Sequence, residues 1–228
     1  MNPVSPESQR RAYLDALGID VWARRTVDEP VQETADREVS AATGWGELRQ
    51  RVAGCTRCAL HKSRTQTVFG TGSEKATWMI IGEAPGAEED RRGEPFVGRA
   101  GKLLDEMLRA IGLERGEVFI ANVLKCRPPN NRDPSQDEAD HCRSHLEAQI
   151  DLLNPGIIVA VGRIAAQQLL KTDAPLGKLR GKAHSLRDGS LPLVVTYHPA
   201  YLLRSPSQKG KVWEDLCLAR RLVSGAPT

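Results

Sequence analysis

The chain lacks any apolar run that approaches the length of a transmembrane helix, which excludes a membrane-spanning protein. The opening stretch from Met1 to Arg11 has no apolar segment of the kind that secretory signal peptides carry. We therefore expect a cytoplasmic protein. Internal repeats are also missing, which excludes solenoid and array architectures.

The cysteines lack the spacing of a zinc ribbon, which presents two tight C-x2-C knuckles. Only Cys55 and Cys58 form such a pair, whereas 67 residues separate Cys58 from Cys126 and 15 residues separate Cys126 from Cys142. Thiolates at any spacing can converge on an iron–sulfur cluster, and disulfides are rare in a reducing compartment. We expect these four cysteines to bind a 4Fe–4S cluster, and we interpret the fifth, Cys217, as a buried apolar residue.

Neither sign of charge is in large excess, since the net charge of the 228 residues is +3. The charge is unevenly placed, however. Residues 1–45 hold 5 Lys and Arg against 8 Asp and Glu, whereas residues 46–228 hold 27 against 21. The basic excess of the larger part suits a polyanionic partner.

Residues 1–45 are predicted to be an N-terminal arm and polar linker. Ser8 to Trp22 has the pattern of one short amphipathic helix, and Arg24 to Thr43 is charged and poor in large apolar residues. The partner of this arm stays open. The main domain is predicted to span residues 46–228 and to be a monomer.

Within this domain apolar strands alternate with helices. The predicted strands are Thr77–Gly82, Val118–Asn122, Ile157–Val161 and Leu193–Thr196. The predicted helices are Ala100–Ile111, a capping-box helix from Ser135 to Leu153, Arg163–Leu170 and Gln208–Val223. This alternation implies parallel pairing. It predicts an α/β fold, a three-layer sandwich with a central, mainly parallel four-stranded sheet flanked by helices.

Three polar residues of different chemistry follow three of these strands. Glu83 follows the first strand, Asn122 closes the second, and His198 comes two residues after the fourth. Ligands of open α/β sheets bind beyond the carboxyl ends of the strands. A carboxylate, an amide and an imidazole are therefore expected on one rim, which predicts a functional site there.

At this point the chain resembles the family-4 uracil-DNA glycosylases, the iron–sulfur type. The resemblance runs from about Cys55 to Leu222. It is carried, in order, by Cys55 and Cys58, Gly82-Glu-Ala-Pro-Gly86, Gly93-Glu-Pro-Phe-Val-Gly-Arg-Ala-Gly101, Asn122-Val-Leu-Lys-Cys-Arg-Pro128, Cys142, and His198-Pro-Ala-Tyr-Leu-Leu-Arg204.

The resemblance implies hydrolysis of the bond between uracil and deoxyribose, which leaves an abasic site. Glu83 would orient the attacking water and offset the cationic sugar, and His198 would stabilise the uracil anion through O2. Asn122 would tell uracil from cytosine by donating to O4 and accepting from N3–H. The remaining residues implied in uracil binding are Ala84, Pro85 and Gly86, whose turn would close the pocket, and Phe96, which would stack on the base.

Uracil inside a duplex must flip out to reach such a pocket. Leu202 and Leu203 are predicted to wedge into the vacated stack, and Arg204 and Lys209 to contact phosphates. The expected partner is uracil-containing DNA.

Three alternatives remain at this stage. The first is a non-catalytic iron–sulfur module that binds DNA, although plain backbone binding needs neither Glu83 nor His198. The second is a member of the superfamily that traps itself covalently on uracil-containing DNA, and the third is the broader-specificity family-5 type. The short stretch Pro128–Pro134, which has no His, argues against covalent trapping. Glu83 argues against the family-5 type, which has an apolar residue at that position.

Overall fold

The structure, a computed structural model, describes residues 44–225. The helix and linker predicted for the N-terminal arm lie outside the described residues. None of the described helices is both long enough and apolar enough to span a membrane.

A six-stranded sheet forms the centre of the domain, in the order β1-β3-β2-β4-β6-β5. Its strands are β1 (Thr71–Gly72), β2 (Trp78–Gly82), β3 (Phe119–Asn122), β4 (Ile157–Val161), β5 (Ala183–Leu186) and β6 (Leu191–Thr196). The four inner strands are parallel, and the two edge strands are antiparallel to their neighbours. The parallel four-stranded sheet predicted from the sequence is confirmed, with an edge strand added on each side.

Eight α-helices surround the sheet in the described part of the chain. They are α1 (Trp45–Ala53), α2 (Ala87–Arg92), α3 (Arg99–Ala110), α4 (Gln136–Leu153), α5 (Arg163–Leu170), α6 (Leu176–Leu179), α7 (Pro199–Arg204) and α8 (Lys209–Ser224). The predicted capping box is present at α4, where the Ser135 side chain accepts the Glu138 N–H and Glu138 accepts the Ser135 N–H.

The inner strands bury both faces, which explains why they are continuously apolar. Along β2, Met79 and Ile81 belong to one core cluster, whereas Trp78 and Ile80 belong to the other. Helices α1, α4 and α5 supply the first cluster, and α3, α7 and α8 supply the second. The result is the predicted sandwich of helices around a sheet.

The two edge strands have no comparable signal in the sequence. β1 is two residues long, and one of them is Gly72, whose φ is +116°. β5 alternates between exposed and half-buried residues, and it pairs with β6 alone. An apolar run marks a strand that is covered on both faces, so these partly exposed edges escape detection.

Candidate active site

The ends of β2, β3 and β6 bring the three predicted polar residues to one rim of the sheet. β2 and β3 pair up to the Gly82–Asn122 register. Two more main-chain bonds continue this pairing, from Val123 N to Gly82 O at 2.9 Å and from Leu124 N to Glu83 O at 3.0 Å. Glu83 and Asn122 are therefore held side by side by the backbone itself.

A cleft of about 540 Å³ lies at this rim. Its lining residues are Glu83, Ala84, Gly86, Glu89, Phe96, Ala100, Asn122, Asn131, His198, Ala200, Tyr201 and Arg204. The structure thus brings together six of the seven residues predicted to bind uracil, together with Arg204. The seventh, Pro85, is buried in the turn and does not line the cleft.

Asn122 places its amide at the floor of this cleft. The residue is only 2% exposed, and its side chain forms no hydrogen bond with another described residue. A Cβ at Gly82 would lie 2.4 Å from Asn122 Oδ1 and 2.7 Å from Cζ of Phe96. Glycine at position 82 is therefore needed for the amide and the aromatic ring to approach the strand end.

Phe96 and His198 form the wall of the cleft. Their ring centroids are 5.5 Å apart and the ring planes are inclined by 29°. Phe96 has a left-handed φ of +53°, a conformation that costs free energy for a residue with a side chain. A Cβ at Gly101 would lie 1.7 Å from the Phe96 carbonyl oxygen, so α3 packs directly on this strained residue.

Glu89 supports the Phe96 segment and was missed by the sequence analysis. Its Oε1 accepts the N–H groups of Val97 at 3.2 Å and Gly98 at 3.4 Å. Glu89 thereby holds the chain directly after the strained residue. A Glu in an acidic helical turn gives no sequence signal for this role, because its partners are main-chain groups of a distant loop.

Asn131 and Tyr201 also line the cleft without having been predicted. Asn131 has a left-handed φ of +53°, and its Oδ1 accepts Arg127 Nε at 2.7 Å. Tyr201 is 36% exposed and stacks on Tyr197 with ring centroids 5.0 Å apart. The sequence signal for this aromatic face was Tyr201 itself, which lies two residues after the His198-Pro199 pair.

His198 is held in one tautomer by its own helix. Its Nδ1 accepts the Ala200 N–H at 3.1 Å, so the proton of the neutral ring resides on Nε2. Burial, together with the charge of Arg204, lowers the pKa of His198 to about 4, although Glu89 acts in the opposite direction. At neutral pH the ring is an uncharged donor through Nε2.

A buried ion pair anchors the strand that delivers His198. Asp215 is 0% exposed and accepts Thr196 Oγ1 at 2.8 Å, Arg180 Nη2 at 2.8 Å and the Gly181 N–H at 3.0 Å. Thr196 is the last residue of β6 and Asp215 lies on α8. The hydrogen bond between them, supported by the other bonds to the same carboxylate, fixes the end of β6 to α8.

Glu83 is half-buried, and its carboxyl group makes no hydrogen bond with another described residue. Burial and the nearby charge of Asp133 raise the pKa of Glu83 to about 7, while Arg163 lowers it. Arg163 Nη2 and Asp133 Oδ2 are themselves paired at 2.8 Å. The group is therefore poised between its two protonation states near neutral pH.

The two leucines predicted to wedge into DNA have different environments. Leu203 is 39% exposed at the end of α7, whereas Leu202 is 1% exposed and packs in the core with α3 and α8. Arg204 and Lys209 are both exposed. Because its side chain is already enclosed, Leu202 serves to anchor α7 beneath the exposed Leu203.

The four predicted cysteine ligands come from three segments. Cys55 and Cys58 follow α1, Cys126 follows β3, and Cys142 lies in α4. The thiol of Cys55 raises the pKa of Cys58, Cys126 and Cys142 alike. Cys55 is thus close enough to act on the charge of the other three cysteines.

The surroundings of the thiols are rich in hydrogen-bond donors. Cys126 Sγ accepts Arg64 Nη1 at 3.1 Å, and Cys142 Sγ accepts the Lys125 N–H at 3.2 Å. Burial raises the pKa of Cys142 to about 12, so a thiolate there requires positive charge beside it. Within residues 44–225, no three His, Cys, Asp or Glu side chains are grouped closely enough to hold a single metal ion. Cys217, which was predicted to be a buried apolar residue, is half-buried on α8.

His145 is the one described residue whose buried side-chain nitrogens lack a hydrogen-bond partner. It is 2% exposed and lies three residues after Cys142 on α4. Burial lowers the pKa of His145 to about 4, and the charges of Lys125 and Arg57, which flank Cys126 and Cys58 in the chain, act in the same direction. A buried polar ring without a partner requires an explanation.

Comparisons with known proteins show the family to which the chain is similar. A family model described as the uracil DNA glycosylase superfamily matches residues 69–217. A type-4 uracil-DNA glycosylase of Pyrobaculum aerophilum is 44% identical over 178 residues, which are 75% of this chain and 91% of that protein. The enzyme of the same name from Archaeoglobus fulgidus is 42% identical over 74% of this chain and 88% of its own. The one from Sulfurisphaera tokodaii is 43% identical over 78% of this chain and 84% of its own.

Proposed function

The chain belongs to the uracil-DNA glycosylase superfamily and, within it, to the type-4 group, and we propose that it is a DNA repair enzyme that hydrolyses the bond between uracil and deoxyribose in DNA. One observation carries the proposal. A single cleft collects a carboxylate, an amide and an uncharged imidazole from the ends of three parallel strands. The product is an abasic site.

His198 acts on the leaving base. The bond to uracil breaks dissociatively, so negative charge develops on uracil and positive charge on the sugar. The Nε2–H of His198 donates to O2 of the departing uracil. Because the Ala200 N–H fixes the tautomer, this donor needs no reorganisation as the charge develops.

Glu83 acts on the sugar side. As a carboxylate it offsets the oxocarbenium charge and orients the water that completes hydrolysis. Its oxygens are available for this task because they make no hydrogen bond with another described residue.

Asn122 and Phe96 select the base. The Asn122 amide donates to O4 and accepts from N3–H, a pattern that cytosine cannot match. Phe96 supplies an aromatic face to the flipped ring. The Ala84–Gly86 turn closes the opposite side, although Pro85 has no N–H to contribute.

The surface around α7 meets the DNA. Leu203 is the exposed wedge that fills the space of the flipped nucleotide, and Leu202 holds the helix from below. Arg204 at the cleft and Lys209 at the start of α8 contact phosphates. We assign the whole of this chemistry to residues 46–228, acting as a monomer in the cytoplasm.

The excision rate should rise with pH up to about 7 and level off above it, because Glu83 works as a carboxylate and its pKa is about 7. Below that value the group is protonated and neither offsets the sugar charge nor accepts from water. Single-turnover rates on uracil-containing DNA across about pH 5 to pH 9 measure this profile.

Asp133→Asn provides the matched control for the profile. Asp133 raises the pKa of Glu83 and Arg163 lowers it, so removing the aspartate charge should move the midpoint to lower pH. A midpoint that stays in place after this substitution would show that another group controls the profile.

We further propose that Cys55, Cys58, Cys126 and Cys142 hold a 4Fe–4S cluster. A cluster with four thiolates carries net negative charge, and Arg64 and the Lys125 N–H already donate to two of the sulfurs. The ring of His145, which has no hydrogen-bond partner among the described residues, lies three residues after Cys142 on the same helix. When bound, the cluster would cross-link the three segments that carry the cysteines.

Protein purified without oxygen should be brown and contain about four irons per chain. Chelation of the iron should lower the thermal stability, because three segments lose their common anchor. Metal analysis and thermal unfolding before and after chelation measure both effects. Stoichiometric zinc in place of iron would refute the assignment.

The proposed function is tested with an oligonucleotide that carries a single uracil. Purified protein should convert the uracil position to an alkali-labile abasic site, whereas thymine- and cytosine-containing strands of the same sequence should stay intact. A Glu83→Gln, His198→Ala double variant controls for contaminating glycosylase. Absence of cleavage by protein with full iron content would overturn the proposal.

A further inference from the structure

A fully buried lysine lies between the cleft and the cysteine site. Lys125 is 1% exposed, a rare environment for a residue whose charge must be compensated when it is buried. Its Nζ donates to the main-chain oxygen of Asn122 at 2.8 Å and to Gln149 Oε1 at 2.6 Å. The ammonium group thus donates to two acceptors. One of them is the main-chain oxygen of Asn122, the residue assigned to base recognition.

The bond to Asn122 takes the place of a missing sheet partner. β3 pairs with β1 through Phe119 and Ile120 only. The carbonyl of Asn122 lies two residues beyond that ladder, so its hydrogen bond comes from the Lys125 side chain. The peptide plane after Asn122 is therefore held on one side by the sheet, through Val123 N and Gly82 O at 2.9 Å, and on the other side by the Lys125 side chain.

The lysine is itself held from several directions. Its N–H donates to Cys142 Sγ at 3.2 Å, and its carbonyl accepts the Val68 N–H at 2.8 Å. Gln149, its partner on α4, also donates to the Phe69 carbonyl at 2.8 Å. Lys125 is thus also tied to Val68, Cys142 and Gln149, none of which lines the cleft.

We propose that Lys125 is a positioning residue for base recognition, which fixes the main chain of Asn122 so that the Asn122 amide faces uracil in the geometry needed for catalysis. The inference rests on the proposed function, because it assumes that Asn122 contacts the base. It connects the cysteine site and the cleft through one residue that touches no substrate.

Lys125→Met should lower the single-turnover rate of uracil excision by roughly tenfold to a hundredfold, the loss expected when a reacting group is misplaced by about 1 Å. The side chains are similar in length, but methionine has no donor for the Asn122 carbonyl. Excision by the unsubstituted enzyme is measured in the same assay, so a failure of the proposed function is seen separately.

A double-mutant cycle distinguishes positioning from a general structural role. If Lys125 acts through Asn122, then Asn122→Ala should cost several-fold less in the Lys125→Met background than in the unsubstituted enzyme. Lys125→Met and Glu83→Gln should instead multiply their separate effects. Full multiplication between Lys125→Met and Asn122→Ala would overturn the proposal.

Gln149 variants keep the proposal testable if Lys125→Met does not fold or loses iron. Gln149→Glu retains an acceptor for Nζ and should stay within about threefold of the parent rate, whereas Gln149→Leu should lose roughly tenfold. Both variants remove the Gln149 side-chain N–H that donates to the Phe69 carbonyl. The loss of this hydrogen bond is therefore the same in the two variants. Equal rates for the two variants at equal iron content would show that holding the lysine does not matter for catalysis.

Discussion

Asn122→Asp should lower uracil excision by roughly a thousandfold, the largest loss expected for any single change in the cleft. In the proposed mode of binding the amide donates to O4 of uracil and accepts from N3–H, whereas an ionised carboxylate can only accept. Its lone pairs would face those of O4 in a position that is 2% exposed. Sites built around hydrogen bonds to a substrate reject a mismatched partner by about 10⁴ or more because buried groups are left unpaired.

The same substitution should favour cytosine, whose exocyclic amine can donate to the new carboxylate. Excision from uracil- and cytosine-containing strands is measured under single-turnover conditions, with thermal unfolding as the check on folding. Asn154→Asp is the matched control, because Asn154 ends α4 in a left-handed conformation and does not line the cleft. Unchanged uracil excision by Asn122→Asp would mean that Asn122 does not read the base.

His198→Ala should lower the single-turnover rate by roughly a hundredfold to a thousandfold, the loss typical of removing one preorganised donor from a developing anion. The ring is neutral at pH 7, since its pKa is about 4, so the loss is that of a hydrogen-bond donor and not of a positive charge. The rate deficit should therefore stay constant from about pH 6 to pH 9.

The matched control for His198→Ala is a substitution of another histidine, His184. His184 lies on β5 with its Nε2 bonded to the Leu179 carbonyl at 2.7 Å, and His184→Ala should excise uracil at the parent rate. His198→Ala should also keep its fold, because Asp215 holds the end of β6 independently of the ring. A His198→Ala deficit that grows steadily as the pH falls from 9 to 6 would instead indicate that a charged imidazolium takes part.

Much of the cleft could be predicted because strand ends are visible in the sequence. Glu83, Asn122 and His198 each follow an apolar run, and parallel strands deliver their carboxyl ends to one rim. Glu89 could not be predicted in the same way, because its partners are the main-chain N–H groups of Val97 and Gly98. Main-chain groups have the same chemistry at every position, so no sequence pattern marks them.

The two leucines of α7 show a second feature that the sequence could not predict, namely which of two neighbouring side chains is exposed. Leu202 and Leu203 are identical neighbours in the sequence, yet one is 1% exposed and the other 39%. Helical geometry turns adjacent residues in different directions, and only the position of α3 and α8 decides which direction is covered. The packed helix was therefore needed to assign the proposed wedge to Leu203 rather than to Leu202.

The sequence by itself determined the order of the elements, the parallel inner sheet and the three polar residues at its rim, because those features depend on apolar periodicity and chain order. The tertiary structure decided the tautomer of His198, the raised pKa of Glu83 and the hydrogen bonds of Lys125. These depend on burial and on bonds between groups far apart in the chain, such as Lys125 and Gln149. The distances between such groups and their exposure to solvent are set only when the helices pack on the sheet. The strength of a hydrogen bond and the protonation state of a side chain depend on both quantities.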